Sequence, residues 1–171
     1  GITGMSNARV ATLASLSPSL LPHYFTDRTF LLDAILKQTL RCCHRISIEH
    51  LEKHNKPLDR LHILIDTHFR EELFTPGMKR LYRDMRHATY QSELLKSTYR
   101  AYQARLLSAV RREMVQLVTA RNLDAASIGF TALLEGLWIK ALNEPVLLTG
   151  KDAAALQKQY LRMITTRIRV K

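Results

Sequence analysis

The sequence predicts an all-α fold, and three observations carry that expectation. Apolar residues recur every three or four positions in one segment after another. Only six Gly and five Pro occur in 171 residues, mostly where those segments stop, so long stretches run without a breaker. Ser17, Asp27 and Asp124 stand where periodic segments begin, and their side-chain oxygens suit the free N–H groups of a helix start. A chain of this length supports one well-buried core, or a small module leaning on a larger one, and not two large domains.

The elements follow in order. Ala8, Val10, Ala11 and Ala14 define a short helix over Ser6–Ala14. Ser15-Leu16-Ser17 interrupts it, and Ser17-Pro18 starts a second short helix that ends near Phe25, Pro18 filling a first turn that needs no N–H. Asp27 caps a third, longer helix from Arg28, apolar at Phe30, Leu31, Ala34 and Ile35 and onward to Ile46 and Leu51, until His54-Asn55-Lys56-Pro57 stops it. Helices are expected from Leu58 to Phe69, from Met78 to Tyr90 after Thr75-Pro76-Gly77, and from Ser92 to about Ala120 with a stripe through Leu95, Tyr99, Tyr102, Leu106 and Val110. Asp124 caps the next, which runs to Leu142 before Asn143-Glu144-Pro145. A last helix after Gly150 sets Ala154, Leu156, Tyr160, Met163, Ile164 and Ile168 against Lys158, Arg162, Arg167 and Arg169. No internal repeat or low-complexity tract interrupts this plan.

Charge points to a polyanion. Lys and Arg number 26 against 15 Asp and Glu, a formal +11, which raises the local concentration of nucleic acid or of an anionic membrane without specifying a sequence. Cys42 and Cys43 are adjacent, so they staple no distant parts and lack the spacing of a metal or redox motif; a reducing, cytoplasmic setting is expected. No apolar run is expected to span a bilayer, and no signal-peptide plan opens the chain.

Two short helices joined by a tight turn and followed at once by a long one make a helix-turn-helix, whose second helix enters the major groove of double-stranded DNA. Close approach needs a small apolar inner face, which Ala8, Val10, Ala11, Ala14, Leu16, Leu20, Leu21 and Phe25 offer.

The run from Ala8 through Val10-Ala11, Ala14-Ser15-Leu16-Ser17 and His23-Tyr24-Phe25 resembles the TetR-family pattern of an I-A dipeptide, then A-G-V-S, then an aromatic stretch ending in Phe. Asp27-Arg28 and Leu31-Leu32 resemble its K-x-x-L-L. Within that family, His23-Tyr24-Phe25 and Gly129-Phe130-Thr131-Ala132-Leu133-Leu134-Glu135-Gly136-Leu137-Trp138 are most similar to the choline-responsive repressors of betaine synthesis. The resemblance implies a TetR-like, all-α protein: a helix-turn-helix domain with the start of a linking helix over residues 1–41, and a helical ligand-binding and dimerisation domain over 42–171. It implies a repressor that a small molecule releases from its operator.

Carried over by position, the resemblance makes Ser17 and Tyr24 phosphate contacts and gives Arg28 the role of the family's Lys. It puts Ser6 at a phosphate-binding helix start, and Pro18, Ser19 and His23 against base edges or the groove wall. Four departures stand out. Asn7 replaces an apolar residue, Ser15 replaces the turn glycine, Pro22 falls inside the recognition helix, and Gly1 already corresponds to the turn after the family's first helix, which is thus absent from the sequence as it stands.

The last two helices are expected to pair with those of a second subunit through Leu133, Leu137, Trp138, Leu156, Tyr160 and Ile164, giving a homodimer whose recognition helices match successive major grooves; an ordinary intramolecular core is the plainer use of the same residues. The middle helices are expected to hold an unidentified small-molecule effector. Where choline-type repressors carry Trp and Phe after a Met-Lys pair, this chain has Leu81, Tyr82, Asp84 and Met85 after Met78-Lys79, which counts against choline. Asp84 is either a counter-charge walled by Tyr82, Met85 and Tyr90, or a solvated acid beside Arg80, Arg83 and Arg86.

Other readings rank lower. His50 and His54 are one helical turn apart with Glu49 and Glu52 near, yet the order is not H-E-x-x-H, and no metal site is expected. Without a Gly-rich phosphate loop or a nucleophile elbow, neither a cofactor nor an enzyme is expected. The alternative from another class is a helical partner-binding or membrane-surface protein using Lys158, Arg162, Arg167, Arg169 and Lys171.

Overall fold

The computed structural model describes residues 6–17, 19–51, 54–143 and 148–166. Among them lie eight α-helices and no strand: α1 (Asn7–Leu13), α2 (Leu21–Tyr24), α3 (Arg28–Leu51), α4 (Pro57–His68), α5 (Pro76–Thr89), α6 (Glu93–Met114), α7 (Leu123–Asn143) and α8 (Gly150–Thr166). Pro18, Glu52, Arg167, Arg169, Lys171 and the side chains of Asn7, Glu49 and His50 lie outside the described residues.

Local chemistry sets the helix starts. Ser6 Oγ accepts from the backbone N–H of Arg9 at 3.2 Å, and Asp27 Oδ1 accepts from those of Thr29 and Phe30 at 2.6 and 3.1 Å. Thr75 and Ser92 cap α5 and α6 in the same way. At α8 the exchange is reciprocal: Thr149 Oγ1 accepts from the N–H of Asp152, whose carboxylate accepts from the N–H of Thr149, a capping box.

Several expected boundaries move, among them the start of α5, at Pro76 and not at Met78, because Thr75 caps it and a proline fits a first turn. The second helix starts at Leu21 and not at Ser17, because Pro22 has no N–H to extend a helix through it and is accommodated only in a first turn. Ser17 instead hydrogen-bonds Ser19, Oγ to Oγ, at 2.7 Å. The sixth helix ends at Met114, six residues before Ala120: Leu117 and Val118 both donate to the Met114 carbonyl, turning the chain so that their side chains pack on the core. Asp124 lies inside the first turn of α7, not ahead of it, and pairs with Arg111.

The larger core is built around α7. Its Phe130, Leu134, Leu137 and Ala141 meet Leu61 and Ile65 of α4, Val110 and Met114 of α6, and Leu161 of α8. Fully buried side chains of this size contribute roughly 1.5–3 kcal/mol each. Buried Gln157 of α8 donates to the Phe130 carbonyl at 2.9 Å. Gly129 belongs to the same contact, since a Cβ there would overlap the Tyr160 hydroxyl. By length and mean hydropathy, 1.3, the stretch Ala120–Asn143 reaches what a membrane span needs, contrary to expectation, but its buried face belongs to this core.

A second cluster joins α3 to α5 and α6 through Leu32, Leu36, Met85, Ala88 and Leu95. Asp33, buried beside it, accepts from Thr98 Oγ1 at 2.5 Å and pairs with Lys37 at 2.6 Å. α3 therefore runs unbroken from the helix-turn-helix into the larger unit.

Candidate ligand cavity and DNA-facing surface

α5 puts Met78, Leu81, Tyr82, Met85 and Arg86 at helical spacing on one face, with the exposed Arg80 and Arg83 on the other. The inner face closes one side of a cavity of about 100 Å³. Leu36, Thr39 and Leu40 of α3, His68 of α4, Tyr99, Tyr102 and Leu106 of α6, and Leu134, Glu135 and Trp138 of α7 complete its walls. The surface it offers is almost wholly apolar.

One ionic network crosses it. Arg86 Nη1 donates to Glu135 Oε2 at 2.9 Å, to the Tyr99 hydroxyl at 3.1 Å and to the Tyr82 hydroxyl at 3.4 Å. The other carboxylate oxygen, Oε1, accepts from Gln103 Nε2 at 2.7 Å. Burial opposes the Arg86 charge, but the hydroxyls and the carboxylate outweigh it and hold the guanidinium pKa above its ordinary value. Burial, with Tyr82 alongside, pushes the Tyr99 hydroxyl up.

A second polar point lies at His68. Its Nδ1 is 2.9 Å from the Leu64 carbonyl, which only accepts, so Nδ1 carries the proton and Nε2 accepts from the Tyr102 hydroxyl at 3.1 Å. Desolvation holds the His68 pKa below its ordinary value, keeping the ring neutral. Trp138 stacks between Tyr82, with centroids 5.4 Å apart, and the edge-on Phe74, 4.7 Å away. Lys79, nearly buried, rests its Nζ 4.1 Å from the Phe74 centroid.

Of the four residues expected to hold an effector, Tyr82 and Met85 line the cavity and the other two do not. Asp84 points away, pairs with Arg83 at 2.9 Å, and lies in a surface groove with Arg28, Thr29 and His87. Tyr90 follows the end of α5 and is 81% exposed. The reason is helical phase: residues 82 and 85 share a face, whereas 84 is turned some 200° from 82. Sequence reasoning missed Arg86 and Glu135. Their signal was a charge at the spacing of an apolar face: Arg86 four positions after Tyr82, and Glu135 between Leu134 and Trp138.

The residues assigned to DNA lie at the surface. Ser6, Ser17, Ser19, His23, Tyr24 and Arg28 are exposed, Arg28 in the first turn of α3; Pro18 is outside the described residues. The inner face of the helix-turn-helix is narrower than expected. Ala11 and Leu21 are buried and Val10 and Phe25 half-buried, but Ala8, Ala14, Leu16 and Leu20 are exposed, because helices this short bury only the side chains that face one another. Ser15 at the turn takes φ 56°, the left-handed conformation that glycine adopts at least cost.

Most of the residues expected at the dimer interface also serve the subunit's own core. Leu137 is buried, and Leu133, Trp138, Tyr160 and Ile164 pack on the subunit's own core; of the six only Leu156 is exposed. The open faces of α7 and α8 carry Ala125, Ile128, Ala132, Gly136 and Ile139 on one helix and Ala155, Leu156 and Met163 on the other. No group of three His, Cys, Asp or Glu side chains among the described residues is placed to hold a metal ion.

An exposed helix-turn-helix, continuous through one long helix with an α-helical unit enclosing an apolar cavity, defines the architecture of a ligand-sensing transcription regulator. Residues 57–166 match the family model described as BetI-type transcriptional repressor, C-terminal, and the chain belongs to that family, within the TetR class of regulators. It is 28% identical to the HTH-type transcriptional regulator BetI of Stenotrophomonas maltophilia over 80% of this chain and 72% of that one. It is 23% identical to the Vibrio vulnificus protein of the same name, over 94% and 82%. The fold is shared with a transcriptional regulator from Rhodococcus sp. Rha1, TM-score 0.83 at 15% identity, covering 99% of this chain and 89% of that one. It is shared too with a structure described as a TetR-family transcriptional regulator from Rhodococcus sp., TM-score 0.77 at 22% identity over 96% and 89%. The relatives are transcriptional regulators and not enzymes, and membership makes DNA the macromolecular partner.

Proposed function

We propose that the protein is a cytoplasmic, homodimeric repressor that holds its operator through Ser6, Ser17, Ser19, His23, Tyr24 and Arg28 and lets go when a small molecule enters the cavity, without catalysis and without a membrane. One observation carries this reading: Leu36 and Met85 belong both to the cavity wall and to the cluster that fastens α3 to α5. A ligand that pushes on these two side chains shifts the α3 contact, and α3 begins at Arg28, directly after the recognition helix. The state that best accommodates ligand then differs from the one that spaces two recognition helices for DNA, which is all that release requires.

The second subunit docks on the open face of α7 and α8, where small Ala125, Ala132 and Gly136 allow close approach between the larger Ile128, Ile139, Leu156 and Met163. Binding of the natural full-length protein to its own promoter DNA and to unrelated duplex, across a salt series, tests the DNA face. Preference for the promoter, a steep fall with salt, and weaker binding on every sequence for Tyr24→Ala and Arg28→Ala are expected. Variants that bind like the parent mean the face is wrongly assigned. Sedimentation of Ile128→Lys with Leu156→Lys tests the dimer: monomers are expected, and an unchanged dimer rejects this face.

A further inference from the structure

We propose that the cavity takes an uncharged, largely apolar small molecule and turns away cations, because Arg86 already fills the place that a cationic ligand needs. This deepens the ligand-sensing reading and rests on it. A protein recognises an organic cation with aromatic faces and a carboxylate. The cavity has both, and both are taken: the Arg86 guanidinium carbon lies 5.6 Å from the Tyr99 centroid and 5.9 Å from that of Tyr82, with Glu135 at 2.9 Å. Gln103 satisfies the other carboxylate oxygen. An incoming cation either displaces Arg86 from three partners, Tyr82, Tyr99 and Glu135, or shares one carboxylate with it, and an unpaired charge left in such a site is strongly unfavourable.

An anion meets the converse obstacle. Pairing with Arg86 draws it away from Glu135 and leaves that carboxylate uncompensated. The resident pair is electroneutral, and the rest of the wall, with Leu36, Leu40 and Leu81, is apolar, so a neutral body fits without either penalty. Among the described wall residues two further polar points remain: the Thr39 hydroxyl, already donating to the Ile35 carbonyl, and the His68–Tyr102 hydrogen bond, which suits a single hydroxyl or carbonyl. An apolar cavity of roughly 150 Å³ accepts one benzene ring, so a cavity of about 100 Å³ limits the ligand to a single small ring or a short chain.

Trp138 is the only tryptophan of the chain and lines the cavity, so its fluorescence reports occupancy directly. Three probes share one ring, are close in size and differ in charge: benzyl alcohol, benzylammonium and benzoate. The intact chain is expected to give a saturable change with benzyl alcohol and to bind either ion at least about tenfold more weakly. Arg86→Met, which vacates the cage while leaving Glu135, is expected to reverse the order in favour of benzylammonium. Should that variant fail to fold, the ranking on the parent decides alone: an ion bound as tightly as the alcohol overturns the inference and leaves ligand sensing standing. No saturable response to any probe, with the same result by NMR, overturns ligand sensing at this cavity and the inference with it.

Discussion

Arg60 of α4 donates through Nε to Glu113 Oε1 of α6 at 2.9 Å, while its Nη1 donates to the carbonyls of Leu51 and His54 at 2.9 and 3.1 Å. One side chain thereby satisfies a buried carboxylate and the open C-terminal end of α3, joining the helix that carries the DNA-facing turn to the unit that encloses the cavity.

Arg60→Met removes both links. Arg112 still pairs with Glu113 at 3.0 Å, which softens the loss, so a destabilisation of about 2 kcal/mol is expected in urea unfolding, below the roughly 3–5 kcal/mol of a wholly broken buried pair. Hydrogen exchange should quicken at the end of α3 before it does in α7. A variant as stable as the parent would deny the junction this role.

The turn between α1 and α2 makes a smaller prediction. With Ser15 at φ 56°, Ser15→Gly relieves left-handed strain of roughly 1 kcal/mol and gives part of it back through a freer unfolded chain, for a net gain of about 0.5 kcal/mol. Ser15→Val, β-branched in the same conformation, should lose about 1–2 kcal/mol. Thermal melts of the two variants check the opposite signs.

His68 makes stability depend on pH. Its folded pKa is depressed by desolvation, so below the ordinary histidine value of about 6.5 the unfolded chain takes up a proton that the folded chain resists. Stability is therefore held above that pH and lost progressively as pH falls below it towards the lowered folded value. His62, lowered first by desolvation and then by Lys158, adds to the same trend. Melting temperatures across pH 5–8 should drop on the acid side, and His68→Gln should flatten the drop; an equal drop in that variant would remove His68 from the account.

What was legible in the sequence was periodicity and capping. Asp27 starts α3 as its position suggests, and α7 follows its apolar stripe to Asn143. Less legible was which side of a helix faces which neighbour. Leu137 and Trp138 look like any apolar pair on α7, yet one fills the subunit's own core and the other the cavity wall, and only the packing of α4, α5 and α6 decides this. Pro22 misled through context: it reads as a defect inside a helix but is harmless once that helix begins one residue earlier. The Arg86–Glu135 pair was out of reach because 49 positions separate its members and no local rule joins them.

The claim on which the rest depends is that filling the cavity weakens the grip on DNA through Leu36 and Met85. Promoter affinity of the full-length protein, measured with and without enough benzyl alcohol to saturate the Trp138 signal, tests it most directly. A rise of about tenfold in Kd for the promoter is expected, a coupling of ordinary size for a two-state regulator. A saturated Trp138 signal with unchanged promoter affinity would contradict it.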